Sequence, residues 1–233
     1  SRKFSLILIY IYKNIYRIYI MKKNIVITGG LGYIGTELCK IYSGISWNNQ
    51  IVVIDNRFVS ERVNQLRKWG IEYVNGDILD LEFLKKYLDK ADIVHHLAGI
   101  TDVARTTKES NLEKDNKLTS VALDGTKNIL STIKENCKII FPSTHVIYEG
   151  IDFTKKDITE NDKPKPVLAY STSKLSNEEQ IKQSGNPYVI LRLGTVYGYS
   201  TDTAIYSHAA LGFHPSRRMS RSNPLACSAL RSP

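Results

Sequence analysis

The sequence contains little cysteine, with three residues in 233: Cys39, Cys137 and Cys227. Thiols this few and this scattered exclude the disulfide framework of a small secreted protein, and they lack the spacing of a zinc site. We therefore expect reduced thiols, no metal site and a cytoplasmic location.

Long apolar runs are also missing from the N-terminal stretch. Its uninterrupted run, Leu6–Tyr12, has seven residues, whereas about 20 are needed to span a bilayer. Lys13 and Arg17 interrupt the following segment, and no small-residue cleavage site precedes Met21. Neither a membrane anchor nor a signal peptide is predicted, and we expect no membrane partner.

Acidic residues are absent from both ends of the chain, which explains the formal net charge of +9. Residues 1–24 carry six basic residues, and residues 204–233 carry four. Residues 25–203 keep the other 22 of the 32 basic residues and all 23 acidic ones, a net charge of −1. A basic face that grips nucleic acid needs a positive excess inside the folded part, so we expect no nucleic-acid partner.

Composition also separates these ends from the middle. The first 20 residues are mostly Ile, Tyr, Leu, Lys, Arg and Asn, and Met21 resembles a natural start; residues 204–233 contain no Lys and are rich in Ser, Arg and Pro. We hypothesise that 1–20 and 204–233 are non-native extensions that do not fold with the domain at 21–203. An uninterrupted reading frame matching both ends in the source gene would contradict this.

Between these ends, short apolar runs alternate with longer segments of helical periodicity. Strands separated by helices imply βαβ units and a doubly wound parallel sheet, so the predicted class is α/β. Ser60 is the expected cap of the second helix, and Pro142 is expected to end the fifth strand. The pattern predicts strands at 24–28, 50–55, 71–74, 92–97, 138–141 and 188–193, and helices at about 34–42, 60–69, 81–88, 112–136 and 169–183.

The first predicted strand runs into TGGLGYIG, residues 28–35. Gly29, Gly32 and Gly35 form a G-x-x-G-x-x-G turn between a strand and a helix. Residues without Cβ let backbone N–H groups approach a pyrophosphate, and the positive end of the following helix favours the anion. The turn therefore predicts a dinucleotide site.

Two acidic residues follow neighbouring predicted strands. Asp55 ends the second strand, where a carboxylate can accept hydrogen bonds from an adenosine ribose and would repel a 2′-phosphate. This favours NAD over NADP, although Arg57 weakens the preference. Asp77 follows the third strand, where it either meets the adenine or caps the next helix.

Hydroxyl and amine groups with catalytic potential lie further along the chain. Tyr170 and Lys174, in YSTSK, are four residues apart on one face of a predicted helix. A nearby ammonium stabilises a phenolate and lowers its pKa, which makes tyrosine a usable proton acceptor. Ser143 and Thr144 end the fifth strand, where ligands collect in open α/β sheets and a hydroxyl can bond a substrate oxygen.

Six motifs in order resemble those of the extended short-chain dehydrogenases/reductases, in particular the NAD-dependent epimerase/dehydratase family. The resemblance covers about residues 22–200 and implies a Rossmann-type fold, NAD as cofactor, a nucleotide sugar as substrate and a homodimer for the full-length protein. The motifs are TGGLGYIG, HHLAG (95–99), GTKNIL (125–130), PSTHVIY (142–148), YSTSK (170–174) and LRLGTVYG (191–198).

The resemblance also implies residue roles. Tyr170 takes a proton from a sugar hydroxyl while a hydride moves to the nicotinamide, Lys174 tunes Tyr170 and holds the ribose, and Thr144 bonds the reacting oxygen. We expect 4-epimerisation of a UDP- or dTDP-hexose by transient oxidation at C4; the alternatives are a keto-sugar reductase using NAD(P) and a non-catalytic NAD-binding regulator or inactive fragment. The cofactor contacts expected are Gly29, Gly32, Tyr33, Ile34, Gly35, Asp55, Asn56, Asp77, Ile78, Leu97, Ala98, Gly99, Tyr170 and Lys174.

Several positions depart from the family pattern. Sugar-nucleotide 4,6-dehydratases carry an Asp-Glu pair where this chain has His145 and Val146, which argues against 4,6-dehydration; we expect His145 to bond backbone instead. Ala122 stands where the helix motif usually has Asn, Thr195 stands where many members have another Asn, and Glu149 replaces the usual Gly after Tyr148.

Two further expectations concern the histidines and the C-terminus. His95 and His96, at the end of the fourth strand, are expected to pack beside the cofactor pocket rather than to bind metal. Family members usually continue for roughly a hundred residues beyond the VYG motif, forming the lobe that holds the nucleotide sugar. We therefore expect the substrate lobe to be largely missing, and this chain to bind NAD weakly without turnover.

Overall fold

The computed structural model describes residues 22–45, 49–101, 104, 106–152, 154–155, 157–194, 196 and 228–231. The predicted N-terminal extension, Thr195 and most of residues 204–233 lie outside this part of the chain. Among the described residues, no helix has the length and apolar character needed to cross a membrane.

Seven strands form one sheet in the order β3-β2-β1-β4-β5-β6-β7. The strands β1 to β6 pair in parallel, and β7 pairs with β6 in the antiparallel direction. The strands are β1 Asn24–Thr28, β2 Gln50–Asp55, β3 Glu72–Asn75, β4 Ile93–His96, β5 Lys138–Thr144, β6 Tyr188–Leu193 and β7 Ser228–Arg231. The helices are α1 Tyr33–Ile45, α2 Ser60–Lys68, α3 Leu81–Leu88, α4 Leu112–Thr132 and α5 Ala169–Gln183, with a 3₁₀ turn at His145–Tyr148.

The strand order confirms the doubly wound α/β, Rossmann-type fold. From β1 the chain moves to β2 and β3 on one side, then returns through α3 to β4 on the other side of β1. This reversal opens a crevice at the carboxyl ends of β1 and β4, where ligands bind in such sheets. The glycine turn after β1 and the segment after β4 border that crevice.

Two apolar layers cover the faces of the sheet. Alternate residues of β1 point to opposite faces: Ile25 and Ile27 belong to one buried cluster with Leu66 of α2, and Val26 belongs to another with Leu84 of α3. Both faces of the strand are therefore buried, which explains its continuous apolar sequence.

Pro142 does not end β5, which continues to Thr144, so that prediction is wrong. The Ile139 N–H donates toward β6, to Pro187 O at 2.8 Å. Because backbone groups alternate sides in a parallel ladder, the nitrogen of Pro142 faces the β4 side, where pairing stops at His95 opposite Ile140. The missing N–H of proline therefore removes no ladder hydrogen bond, and pairing with β6 continues.

Two other sequence expectations differ from the structure. Residues 228–231 of the predicted non-folding C-terminal extension pair with β6 as β7, so this part of the extension does join the sheet. The cap of α2 is Val59, which gives no side-chain hydrogen bond, and Ser60 is already the first helical residue. Strand pairing and cap position both depend on tertiary contacts that local sequence does not encode.

Candidate cofactor and catalytic site

Two positions of the turn after β1, Gly29 and Gly35, leave no room for a side chain. Gly29 has φ +69°, and a Cβ there would lie 2.6 Å from the backbone nitrogen of Ala98. A Cβ on Gly35 would lie 2.6 Å from the Cα of Gly30. Gly32 N–H donates to Gly29 O at 3.0 Å. Tyr33 and Ile34 begin α1, so the helix N-terminus directly follows the turn. This cradle fits a pyrophosphate group.

Two buried charged side chains fix the turn through Leu31. Its N–H donates to Asp55 Oδ2 at 3.0 Å, and its carbonyl accepts a hydrogen bond from the Arg62 guanidinium. Asp55 and Arg62 are 5% and 8% exposed. Sequence reasoning identified Asp55 but missed Arg62, whose only signal was a basic residue among the core positions of α2.

The carboxylate of Asp55 also holds the segment that follows β2. Its Oδ1 accepts from Arg57 N at 3.0 Å and from Arg57 Nε at 3.3 Å. Asn56 Nδ2 donates to Asp77 Oδ2 at 3.0 Å, which brings two predicted cofactor residues together. Asp77 does not cap α3, because Asp80 is the N-cap and accepts from Phe83 N–H; the capping alternative for Asp77 is thus wrong.

The segment that follows β4 forms the other side of the crevice. The N–H groups of Leu97 and Ala98 donate to the backbone and side-chain oxygens of Thr28, at 3.1 and 3.3 Å. A Cβ on Gly99 would meet nothing within 4 Å, so this position borders open space. The segments that follow β1 and β4 thus lie side by side, as the cofactor prediction requires.

The segment that follows β3 contributes Ile78 to this region, and Ile78 lies against Gly125 of α4. A Cβ on Gly125 would come within 2.2 Å of Ile78 Cδ1, and Asn128 Nδ2 donates to Ile78 O at 3.1 Å. The helix motif therefore needs glycine at position 125 to let this segment approach, and Asn128 then fixes its backbone.

The two histidines at the end of β4 pack beside this crevice, as predicted. His96 bonds Thr28 Oγ1 and Thr126 Oγ1, each at 3.0 Å, and burial lowers its pKa to about 3. His95 Nε2 lies 2.7 Å from Tyr42 Oη, and burial lowers its pKa to about 4. Both rings are therefore neutral at pH 7. Within the described residues, no group of three or more His, Cys, Asp or Glu side chains is arranged to hold a metal ion.

Lys174 lies between the end of β5 and the ring of Tyr170. Its Nζ donates to Pro142 O at 3.0 Å, 4.5 Å from the Phe141 ring centroid and 5.9 Å from that of Tyr170. Burial lowers the pKa of Lys174 to about 8, opposed by the charge of Glu178. The amine thus remains mostly protonated at neutral pH.

The pKa of Tyr170 shifts in the opposite direction to the one we expected. Burial raises it above its usual value near 10. The Lys174 ammonium is directed at Pro142 O and the ring faces, and this arrangement does not offset the loss of solvation around the phenol. Tyr170 is therefore protonated at neutral pH in this structure.

The two hydroxyls at the end of β5 have different environments. Thr144 is buried and caps the 3₁₀ turn, its Oγ1 accepting from Val146 N at 3.2 Å, which leaves its O–H available as a donor. Ser143 Oγ instead donates to Glu178 Oε1 at 2.5 Å, so Ser143 is a structural residue. His145 Nδ1 bonds Leu193 O at 3.1 Å, which confirms its predicted backbone contact.

Glu149, where the family usually has glycine, fixes the entry to α5. Its Oε1 accepts from Val167 N at 2.7 Å and Leu168 N at 2.8 Å, and from the Ser171 hydroxyl. Sequence reasoning noted the replacement but not this role, which depends on contacts between residues 18 to 22 positions apart.

The family model for the NAD dependent epimerase/dehydratase family matches residues 25–220. The chain belongs to this family. Its cofactor is accordingly NAD, and the glycine cradle, Asp55 and the crevice between β1 and β4 fit such a dinucleotide.

Relatives and solved structures of this family span several activities. A dTDP-D-glucose 4,6-dehydratase of Dictyostelium discoideum is 30% identical over 197 residues, covering 76% of this chain and 44% of the relative. A UDP-N-acetyl-alpha-D-glucosaminuronate decarboxylase of Bacillus cytotoxicus is 32% identical over 130 residues, 55% of this chain and 38% of the relative. The UDP-glucose 4-epimerase of Brucella ovis, solved with NAD, is 27% identical with a TM-score of 0.60, covering 72% of this chain and 50% of that one.

The chain spans half or less of the length of these three proteins. Residues 25–220, which the family model matches, include the glycine turn and the helix that carries Tyr170 and Lys174. The activity and substrate of the whole protein are therefore matters of proposal.

Proposed function

We propose that the protein to which this chain belongs catalyses 4-epimerisation of a nucleotide sugar, a UDP- or dTDP-hexose, by transient oxidation at C4. The observation that carries the proposal is the position of the Lys174 ammonium, bound to Pro142 O at 3.0 Å between the rings of Phe141 and Tyr170. Thr144 ends the same strand two residues later. In this proposal the hydroxyl of Thr144 and the phenol of Tyr170 act beside this fixed cation at the carboxyl edge of the sheet.

Each residue has a distinct task in this proposal. Thr144 donates its O–H to the C4 oxygen of the sugar and orients it, while Tyr170 accepts the proton of that hydroxyl. Because burial raises the pKa of Tyr170, its phenolate is a minor species at neutral pH, and the Lys174 ammonium, 5.9 Å from the ring centroid, supplies a positive charge that favours it. NAD held at the glycine turn would supply the hydride acceptor. The hydride would return to the other face of the 4-keto sugar while Tyr170 gives its proton back to the C4 oxygen, which would invert C4 and leave the cofactor unchanged.

The structure around β5 favours epimerisation over 4,6-dehydration, although one relative is named as a dehydratase. Val146 carries no group that transfers a proton. The ring of His145 bonds Leu193 O at 3.1 Å, which commits one ring nitrogen to backbone. Water elimination needs an acid and a base beyond Tyr170, and neither of these two positions supplies that pair.

Two other functions remain as alternatives, each with its own signature. A keto-sugar reductase would consume reduced cofactor stoichiometrically, whereas an epimerase recycles it. A non-catalytic NAD-binding protein would bind cofactor without changing any sugar.

For the full-length protein we further propose a homodimer in the cytoplasm, a location in keeping with the buried free thiols Cys39 and Cys137.

The decisive experiment uses the full reading frame of the source gene, expressed beside the 233-residue chain. UDP-hexoses and dTDP-hexoses are incubated with the protein of that reading frame and NAD, products are separated by chromatography, and absorbance at the NADH band is followed. A C4 epimer without net NADH change supports the proposal, and Tyr170→Phe should abolish it. In a parallel incubation with a nucleotide-linked keto sugar and NADH, net NADH oxidation would establish the reductase instead. No sugar conversion, or robust epimerisation unaffected by Tyr170→Phe, would overturn the proposed function.

A further inference from the structure

The cofactor site contains a cation beside the acid that was expected to select NAD. Arg57 lies two residues after Asp55, and one of its terminal guanidinium nitrogens is 4.0 Å from where a Cβ of Gly32 would stand. The arginine therefore reaches the glycine turn. Its side chain is 61% exposed, whereas that of Asp55 is 4% exposed.

The hydrogen bonds already made by Asp55 limit what it can offer a ribose. A carboxylate has about four lone-pair positions, and Asp55 accepts from Leu31 N, Arg57 N and Arg57 Nε at 3.0, 3.0 and 3.3 Å. One position remains. The adenosine ribose of NAD presents two hydroxyls, whereas a 2′-phosphorylated ribose presents only its 3′-hydroxyl.

The local charge also favours a ribose that carries a 2′-phosphate. A lone carboxylate at this position repels a 2′-phosphate, but here the Arg57 guanidinium compensates the carboxylate charge at 3.3 Å. Among the described residues, the guanidinium of Arg57 donates to Asp55 through Nε, so its terminal N–H groups, four donors in a planar fork, can meet a phosphate. Tyr73 Oη donates to Arg57 O at 2.7 Å, which fixes the backbone from which this side chain extends.

We propose that Arg57 is a specificity-determining residue of the cofactor site and that it lets this chain bind NADP as well as NAD. The exposed fork of Arg57 takes the 2′-phosphate, and the remaining lone-pair position of Asp55 takes the 3′-hydroxyl. The inference depends on the dinucleotide site and is independent of whether the sugar is epimerised.

The test measures dissociation constants of NAD⁺ and NADP⁺ for the 233-residue chain by isothermal titration calorimetry. We expect the two values to lie within about tenfold of each other. Arg57→Ala should weaken NADP⁺ binding about tenfold or more, the scale of a lost charge-assisted hydrogen bond, with a smaller change for NAD⁺. Arg57→Lys keeps the charge without the fork, so its NADP⁺ affinity should be intermediate. Added salt should weaken NADP⁺ more than NAD⁺.

The matched control is Arg67→Ala. Arg67 is an exposed cation in the last turn of α2, and this end of the helix leads into the start of β3, so Arg67 lies toward the amino edge of the sheet and not toward the cofactor crevice. It should leave both constants unchanged. If the chain binds NADP⁺ more than a hundredfold more weakly than NAD⁺, this inference is overturned and the dinucleotide site is not. Equal losses of affinity for both cofactors in Arg57→Ala and Arg57→Lys would have the same meaning. Failure of both cofactors to bind would overturn the dinucleotide site as well.

Discussion

Glu178 of α5 and Arg192 of β6 form an ion pair with two hydrogen bonds and almost no solvent contact. Arg192 Nη2 lies 2.7 Å from Glu178 Oε2, and Nε lies 3.0 Å from Oε1. Although burial acts to raise it, the hydrogen bonds from Arg192 and Ser143 bring the pKa of Glu178 below its usual value. The pair ties the helix that carries Tyr170 and Lys174 to the sheet beneath it.

Glu178→Gln should destabilise the chain strongly, because it leaves the Arg192 charge buried without its counter-charge. We expect the free energy of unfolding to fall by about 3 to 5 kcal/mol, measured by urea denaturation. Lys182→Ala is the control: its Nζ lies 3.3 Å from Glu178 Oε2 but its side chain is 34% exposed, so the loss should stay below about 1 kcal/mol. Equal losses in the two variants would contradict the assignment.

Glu149→Gly, which restores the usual family residue, should loosen the start of α5. It removes acceptors for two backbone N–H groups and the Ser171 hydroxyl, and we expect a stability loss of about 2 kcal/mol. Hydrogen exchange at the Val167 and Leu168 amides should accelerate. Glu149→Gln keeps an acceptor oxygen and should retain most of the protection. Unchanged exchange in Glu149→Gly would show that Glu149 does not hold this segment.

His96 should make the fold sensitive to acid. Its pKa is about 3 in the folded chain against an unfolded value near 6.5, so below pH 6.5 the unfolded state binds more protons. Its contribution to stability is therefore complete above pH 6.5 and is lost as pH falls toward 3, at about 1.4 kcal/mol per pH unit. Urea midpoints at pH 7 and 4.5 should differ less in His96→Gln than in the parent. His145→Gln, whose parent ring is exposed, serves as the control and should leave the difference unchanged.

Gly29→Ala should abolish cofactor binding before it abolishes folding. The added Cβ would lie 2.6 Å from Ala98 N at a residue with φ +69°, so the segments after β1 and β4 must separate. We expect at least a tenfold loss of NAD affinity and a stability loss of about 1 to 3 kcal/mol. Gly44→Ala, in α1, meets nothing within 4 Å and should raise stability by up to about 1 kcal/mol. Unimpaired NAD binding by Gly29→Ala would refute the role of the turn.

The sequence was sufficient for those parts of the fold whose signals are local. The buried strands β1 and β2 centre on continuous runs of Ile and Val, β6 contains the run Val-Ile-Leu, and the bounds of all three agree with the structure. The end of β5 and the existence of β7 were not predictable in this way, because each depends on which neighbouring strand is present. The cap of α2 likewise depends on how the preceding loop enters the helix.

The residues of the candidate site were likewise predictable only where the local sequence determines the structure. The glycine turn and the spacing of Tyr170 and Lys174 follow from backbone geometry, so they could be predicted. Ser143 and Thr144 are adjacent in sequence, but successive residues of a strand point to opposite faces, and the pattern could not tell which one faces α5. Glu178 had a usable signal, since it lies one helical turn after Lys174 on the same face. The pKa of Tyr170 depends on tertiary burial and was beyond sequence reasoning.

Pro142 binds Lys174 through a carbonyl oxygen of the main chain, at 3.0 Å. A contact of this kind is specified by the register of β5 and not by the identity of residue 142. Replacing the proline with any other residue that keeps the strand would leave the ammonium in place. Comparison of aligned sequences would consequently miss this partner of Lys174, and mutational scanning of position 142 would miss it too. Only a backbone change, such as an ester in place of the amide between residues 142 and 143, would weaken the oxygen as an acceptor and show how much of the lysine's position depends on it.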